Sequence, residues 1–237
     1  SEEPITQKHE SLATRKVCQT TKDRNLTFRA SSTDEGSHSR KVIAEEFPED
    51  IGQLDLYHAL KTDKIIYLKS STNKGKGNAL NLAKNIVETS HVIIHDADLE
   101  YFPEDIVEMF DCVQENQDSL ILGSRFIGNK KRTNIYSRTM IANKAMSSFF
   151  SLLNSYQVSD IATCYKLMPT SFFKEMDIKE NGFSIEIEIV AKFLKYNKSI
   201  KEIPIRYEGR SYEEGKKIKT SDGFKYLLNT VKYRIFN

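Results

Sequence analysis

The sequence predicts an α/β fold with a mostly parallel central sheet flanked by helices, and three observations lead there. Short uninterrupted apolar runs at Ile65-Ile66-Tyr67-Leu68, Val92-Ile93-Ile94 and Leu120-Ile121-Leu122 suit strands buried on both faces. Segments of helical period lie between these runs, the first carrying Ala79, Leu80, Leu82, Ala83, Ile86 and Val87 on its inner side. The resulting strand–helix–strand–helix–strand order is that of parallel strands joined by helical crossovers.

Taken in order, residues 1–37 are polar, with one strand-like stretch from Asn25 to Ala30. The segment Ser31 to Ser37 reads as a turn capping a helix from about Ser39 to Phe47, and a second helical stretch runs near Ile51–Leu60. The regular pattern starts at Lys64. A Gly/Lys turn from Asn73 to Gly77 follows the first buried strand and opens the first crossover helix. After the strand at Val92–Ile94 come an acidic loop and a helix with Pro103 at its first turn. A further strand covers Ser119–Leu122. Sites in such sheets lie beyond the carboxyl ends of the strands, so the turns after Leu68, Ile94 and Leu122 should meet at one crevice. Neither a repeat nor a low-complexity linker interrupts the chain, which predicts one domain over 1–237.

Composition narrows the function classes. The 237 residues carry 35 Lys+Arg against 33 Asp+Glu, a formal charge of +2 that is too even for a nucleic-acid binder. At 39% hydrophobic and 29% charged, the chain is of the ordinary globular type. No apolar run approaches the ~20 residues that span a bilayer. Cys18, Cys112 and Cys164 form no C-x-x-C pair, the pattern of reduced thiols in a cytoplasmic protein. Carboxylates are then the place to look for a metal.

The acidic loop supplies them. In His95-Asp96-Ala97-Asp98-Leu99-Glu100, alternate residues of an extended segment share a side, which brings Asp96, Asp98 and Glu100 to one face. Carboxylates aimed at one place call for a cation, and hard oxygen ligands select Mg²⁺ or Mn²⁺, with substrate phosphates completing the shell. Glu104 and Asp105 read instead as complements to a helix dipole. The turn Asn73-Lys74-Gly75-Lys76-Gly77-Asn78 joins glycines, two lysines and a helix N-terminus, features that suit a phosphate. It lacks the Walker ending, and a solvated turn needing positive φ would use the same residues.

These segments belong to an ordered series. Asn73 to Leu80, Asp96 to Ile106 and Gly123-Ser124-Arg125-Phe126 are followed by Asp160 to Lys166, Gly182 to Glu186 and Ile203-Pro204-Ile205-Arg206-Tyr207. Gly209 to Ile218 and Asp222-Gly223-Phe224 close it. The series resembles the inverting family 2 glycosyltransferases, in the branch similar to dolichyl-phosphate mannose and glucose synthases. The resemblance implies a GT-A fold, Rossmann-like, and transfer of a sugar from UDP- or GDP-sugar to an acceptor, usually a polyprenyl phosphate. Glycan acceptors and a place in cell-wall or polysaccharide assembly fall within its range. It covers 64–237, the donor and acceptor part, while 1–63 form a divergent nucleotide-binding part.

Residue by residue, the resemblance makes Asp96-Ala97-Asp98 the D-x-D loop, with Asp96, Asp98 and Glu100 facing the metal. Lys74, Gly75 and Lys76 stand on the donor side, and Lys216 and Lys217 in a basic loop closing over the donor. Arg125, Arg138 and Arg210 match arginines that hold the acceptor phosphate. Asp98, Arg125 and Asp160 are the catalytic candidates, Asp160 lining the acceptor side. Members usually begin with a strand ending Pro-x-Tyr-Asn-Glu and a second ending Asp-Asp-Gly-Ser-Thr-Asp. Here Pro4 to His9 and Arg29-Ala30-Ser31-Ser32-Thr33-Asp34 stand in those places.

Charge sets the expected mechanism. A phosphate monoester has a second pKa of ~6 and is largely ionised at neutral pH, so it needs no strong base. Arginines suit the task of bringing that anion to an anionic donor, and a sugar hydroxyl acceptor would require a base, for which Asp160 is the candidate. Each cation also has a plainer reading, Arg138 as a solvent-facing helix residue and Arg210, Lys216 and Lys217 as a charged loop. The C-terminal stretch mixes Phe224, Tyr226, Leu227, Leu228, Val231, Tyr233, Ile235 and Phe236 with Lys225, Lys232 and Arg234. Such a helix can lie peripherally at the cytoplasmic face of a membrane or pack its apolar stripe on the sheet. Two rival functions remain open: a catalytically degenerate relative acting as a binding protein, and a sugar-nucleotide nucleotidyltransferase, which would usually show a long Gly-rich loop near its N-terminus.

Overall fold

A computed structural model describes residues 25–31, 41–45, 65–69, 74–96, 100–134, 136–197, 199–209 and 220–235. Its main sheet contains β1 (Asn25–Ser31), β2 (Lys41–Glu45), β3 (Ile65–Lys69), β4 (His91–Asp96), β5 (Leu120–Ser124), β7 (Lys166–Pro169) and β8 (Ile200–Pro204). A two-stranded ribbon pairs β6 (Arg132–Thr133) with β9 (Tyr207–Glu208). The helices are α1 (Lys76–Lys84), α2 (Asp105–Glu115), α3 (Ser137–Asn154), α4 (Thr170–Glu175), α5 (Ile185–Tyr196) and α6 (Thr220–Ile235).

The strand order is β3-β2-β1-β4-β7-β5-β8. Pairings β2–β3 and β5–β8 are parallel, whereas β1 and β7 run against both of their neighbours. Five of the seven strands therefore share a direction, and the two that oppose it make the sheet mixed at the level of its ladders. The third of the uninterrupted apolar runs, Ile65 to Leu68, lies on β3 at the edge of the sheet. The interior strands β4 and β5 carry the other two, and Val92, Ile93, Ile94, Leu120, Ile121 and Leu122 are all fully buried. A two-sided cover of helices requires that pattern.

The expected helix from Ser39 to Phe47 is a strand over its described part. Lys41–Glu45 is held between β1 and β3, with Ile43 opposite both Thr27 and Tyr67. Pairing on both edges overrides a local helical tendency, which is a weak determinant of structure by comparison. The stretch near Ile51–Leu60 lies outside the described residues. α1 matches its expected inner face at Ala79, Leu80 and Ala83, with Val87 buried just past its end, while Leu82 is exposed.

α6 packs against α3 and α5 and buries Tyr226, Thr230 and Tyr233. Its other side leaves Leu227, Leu228, Val231 and Ile235 exposed beside the exposed Lys225, Lys232 and Arg234. No described helix is long and apolar enough to cross a membrane.

Candidate active site

The carboxyl ends of β4 and β5 face the same way, as the sequence pattern requires, and most of the described candidates lie at or near them. Asp96 is the last residue of β4. Its backbone N–H donates to Cys164 Sγ at 3.1 Å, and its Oδ1 accepts from Lys76 Nζ at 2.8 Å. Burial works to raise the Asp96 carboxyl, but the charge and hydrogen bond of Lys76 outweigh it and hold the group below the usual carboxylate range. Asp96 is thereby kept ionised. Burial likewise opposes the Lys76 ammonium, and Asp96, Cys164 and Glu186 together raise it well above an ordinary lysine.

Glu100 is buried, and its Oε2 accepts from Tyr207 Oη at 2.6 Å. Backbone pairing fixes the two residues relative to one another: Glu208 N–H donates to Glu100 O at 2.9 Å, and Tyr101 bridges Tyr207. Ala97, Asp98 and Leu99 lie outside the described residues. The donor chemistry fits a divalent cation. Two hard carboxylates, one ionised by Lys76 and one oriented by Tyr207, flank the loop, and Mg²⁺ or Mn²⁺ typically takes only one or two carboxylates beside phosphate oxygens. No preformed cluster of three metal-ligating side chains occurs among the described residues.

The Gly/Lys turn packs closely against a neighbouring segment. Gly75 has φ +94°, and a Cβ there would sit 2.2 Å from Asn181 O. At Gly77 a Cβ would sit 1.9 Å from Glu180 O, and the Gly77 N–H donates to Asn181 O at 3.5 Å. The glycines admit the backbone of residues 180–181 against the start of α1. Lys74 is exposed, whereas Lys76 turns inward to Asp96 and Glu186.

Arg125 and Asp160 form a sealed pair. Arg125 Nε and Nη2 reach Asp160 Oδ2 and Oδ1 at 2.7 and 2.8 Å, and the Arg125 N–H donates to Oδ2 at 3.0 Å. Asp160 is completely buried. Burial disfavours the guanidinium, yet Asp160, with Tyr101 and Tyr207, raises it well above an ordinary arginine. Its carbon lies 5.0 Å from the centre of the Tyr207 ring, so the ring that orients Glu100 also stacks against Arg125. Arg138 is exposed in the first turn of α3. Arg210, Lys216 and Lys217 lie outside the described residues.

Several residues at the crevice carry no individual assignment from the sequence. Lys166, Glu186 and Tyr207 sit inside the ordered blocks, but their side-chain partners Glu186, Lys76 and Glu100 are 20 to 110 positions away, beyond any local pattern. Asp105 bonds Arg206 and Lys130 as well as lying in the first turn of α2, so it fixes the β8–β9 connection.

A central sheet with an acidic loop at the carboxyl end of an interior strand is the architecture of the GT-A glycosyltransferases. Solved structures of glucosyl-3-phosphoglycerate synthase from Mycobacterium tuberculosis share the fold. One, in complex with UDP, has a TM-score of 0.59 at 8% identity, covering 81% of this chain and 68% of that one. A second, holding Mn²⁺, UDP-glucose and phosphoglyceric acid, gives the same score and coverage at 9% identity. The sequence model of Glycosyl transferase family 2 matches residues 34–177. The chain belongs to that family and is a glycosyltransferase.

Curated relatives include glycosyltransferase AglJ of Haloferax volcanii, 26% identical over 75% of this chain and 56% of its own length. Another is the UDP-N-acetylglucosamine–dolichyl-phosphate N-acetylglucosaminyltransferase of Methanococcus voltae, 26% identical over 71% of this chain and 69% of its own. An uncharacterized protein of Methanocaldococcus jannaschii is 22% identical over 79% of both chains. The chain thus spans little more than half of the Haloferax protein.

Proposed function

We propose that this glycosyltransferase moves a sugar, with inversion, from a nucleoside diphosphate sugar to a polyprenyl phosphate, using a divalent cation bound at Asp96, Asp98 and Glu100. The observation that carries the reading is the mouth of the acidic loop, where Asp96 and Glu100 each have a fixed partner, Lys76 and Tyr207. Both UDP and dolichyl phosphate appear in the name of the Methanococcus relative, and UDP-glucose with Mn²⁺ in a complex sharing the fold. These favour a UDP-sugar and a divalent metal, either Mn²⁺ or Mg²⁺.

The metal, when bound, stabilises the departing diphosphate. The rest falls to the chain. Asp160 spends both oxygens on Arg125 and is sealed from solvent, a poor placement for a base that must take a proton from a hydroxyl. That supports an acceptor already ionised, the phosphate monoester. In this reading Asp160 positions Arg125, and Arg138, exposed nearby in the chain, meets the acceptor with Arg210. Electrostatic placement of two anions does most of the work. The exposed apolar side of α6 with its three cations supports peripheral contact with an anionic bilayer, which vesicle flotation tests.

Calorimetric titration of UDP and GDP with and without Mn²⁺ tests the donor assignment. One of the two should bind only with metal, and Asp98→Ala should abolish that binding without lowering the melting temperature. Metal-independent or unchanged binding in the variant would overturn the reading.

A further inference from the structure

Behind Asp96 lie two buried charges with no assigned task, Glu186 and Lys166. Glu186, in the first turn of α5, is 5% exposed and uses its two oxygens on two different lysines. Oε1 accepts from Lys76 Nζ at 2.7 Å, and Oε2 accepts from Lys166 Nζ. Lys166, at the start of β7, is completely buried and also donates to the carbonyls of Thr163 and Ile161. Lys76 completes the line by donating to Asp96 Oδ1. The order is Lys166, Glu186, Lys76, Asp96, with two positive and two negative charges.

Such a set is a poor way to stabilise a fold, because apolar residues of similar volume would avoid the desolvation of four charges. Its geometry is better suited to aiming a side chain. A lysine ammonium on a four-carbon stem has many rotamers, and a single carboxylate at a loop mouth would not choose among them. The second carboxylate, itself clamped by a buried lysine, fixes the Lys76 ammonium in space. Asp96 is then held by a partner that cannot swing away, in the manner of outer partners that orient metal ligands.

We infer that Glu186 and Lys166 are positioning residues for the donor site, acting through Lys76 on the orientation of Asp96. The inference rests on the proposed role of Asp96 in metal and diphosphate binding, and concerns which residues set that role up.

The test is the double variant Lys166→Met/Glu186→Leu, which removes one charge of each sign and keeps the volume apolar. It should melt near the wild-type temperature, while Mn²⁺-dependent binding of the nucleotide that the wild type prefers weakens about tenfold. The carboxyl ¹³C resonance of Asp96, read without metal or nucleotide, should move. A folded double variant that binds as the wild type does would overturn the inference. If the double variant fails to fold, Lys166→Met/Glu186→Gln serves in its place: its amide oxygen keeps one acceptor for Lys76, no ammonium is left buried without its carboxylate, and the same weakening is expected. If the wild type binds no nucleotide with Mn²⁺, the donor-site reading fails. The Asp96 resonance then decides alone, and an unchanged position in the variant refutes the positioning role.

Discussion

Two buried ion networks flank the acidic loop, and they are built to opposite ends. The Arg125–Asp160 pair is closed: a bidentate contact, a backbone N–H on the same carboxylate and no exposure of Asp160. The Lys76 network is open at one end. Its inner members Lys166 and Glu186 have side-chain exposures of 0% and 7%, and its outer member Asp96 has 28%. A closed pair holds its surroundings in place, whereas an open chain of charges presents its outer member to a ligand. The difference separates two carboxylates of the same residue type, Asp96 and Asp160.

The largest expected effect sharpens that contrast. Asp160→Ala leaves a guanidinium buried without its partner and should cost about 3–5 kcal/mol in urea unfolding. Were Asp160 instead a base at the acceptor, the variant would lose turnover with stability unchanged. A smaller effect is expected at the link between the regions. Tyr207→Phe removes a hydrogen bond to a carboxylate, a contact worth about 1.5–3 kcal/mol. It keeps the ring that stacks on Arg125, so nucleotide–metal affinity should fall more than the melting temperature does. Equal losses in both would make Tyr207 a packing residue.

The smallest effect is in pH dependence, and its sign differs between Asp96 and Glu202. Asp96 titrates below its ordinary 3.8, so its contribution is present above that pH and lost as pH falls through the folded-state value. Glu202 behaves oppositely. Burial raises it above 4.5, bonds from Ser159 and the Asp160 backbone lower it, and the nearby Asp160 charge raises it again. A raised carboxyl favours the folded state below 4.5, and that advantage disappears as pH rises through its folded value. Carbon-detected titration should place Asp96 below and Glu202 above their ordinary ranges, and a reversed order would contradict the described environments.

Legibility in the sequence followed the range of the interactions. Val92 to Ile94 and Leu120 to Leu122 announce strands because burial on both faces writes itself into consecutive residues. Lys41–Glu45 does not, since its five residues are extended only by having β1 and β3 on either side. The acidic loop was readable because Asp96 and Glu100 lie four positions apart, and Arg125 and Asp160 were marked individually. Their pairing was not visible, nor was the bridge from Glu186 to Lys76 across 110 positions. For Asp160 the sequence offers a carboxylate, and the structure adds that both its oxygens are engaged by Arg125, which residue type alone leaves open.

The fit of α1 against residues 180–181 has a consequence for substitution. Glu188 anchors that segment by accepting from the N–H groups of Lys179 and Glu180, both at 2.8 Å, so the wall facing Gly77 has little room to retreat. A methyl group at position 77 would act as a wedge between the helix that carries Lys76 and the turn that leads into Glu186. At this one site the amino-acid alphabet contracts to a single letter, and a hydrogen atom in place of a side chain sets the spacing between the two halves of the crevice.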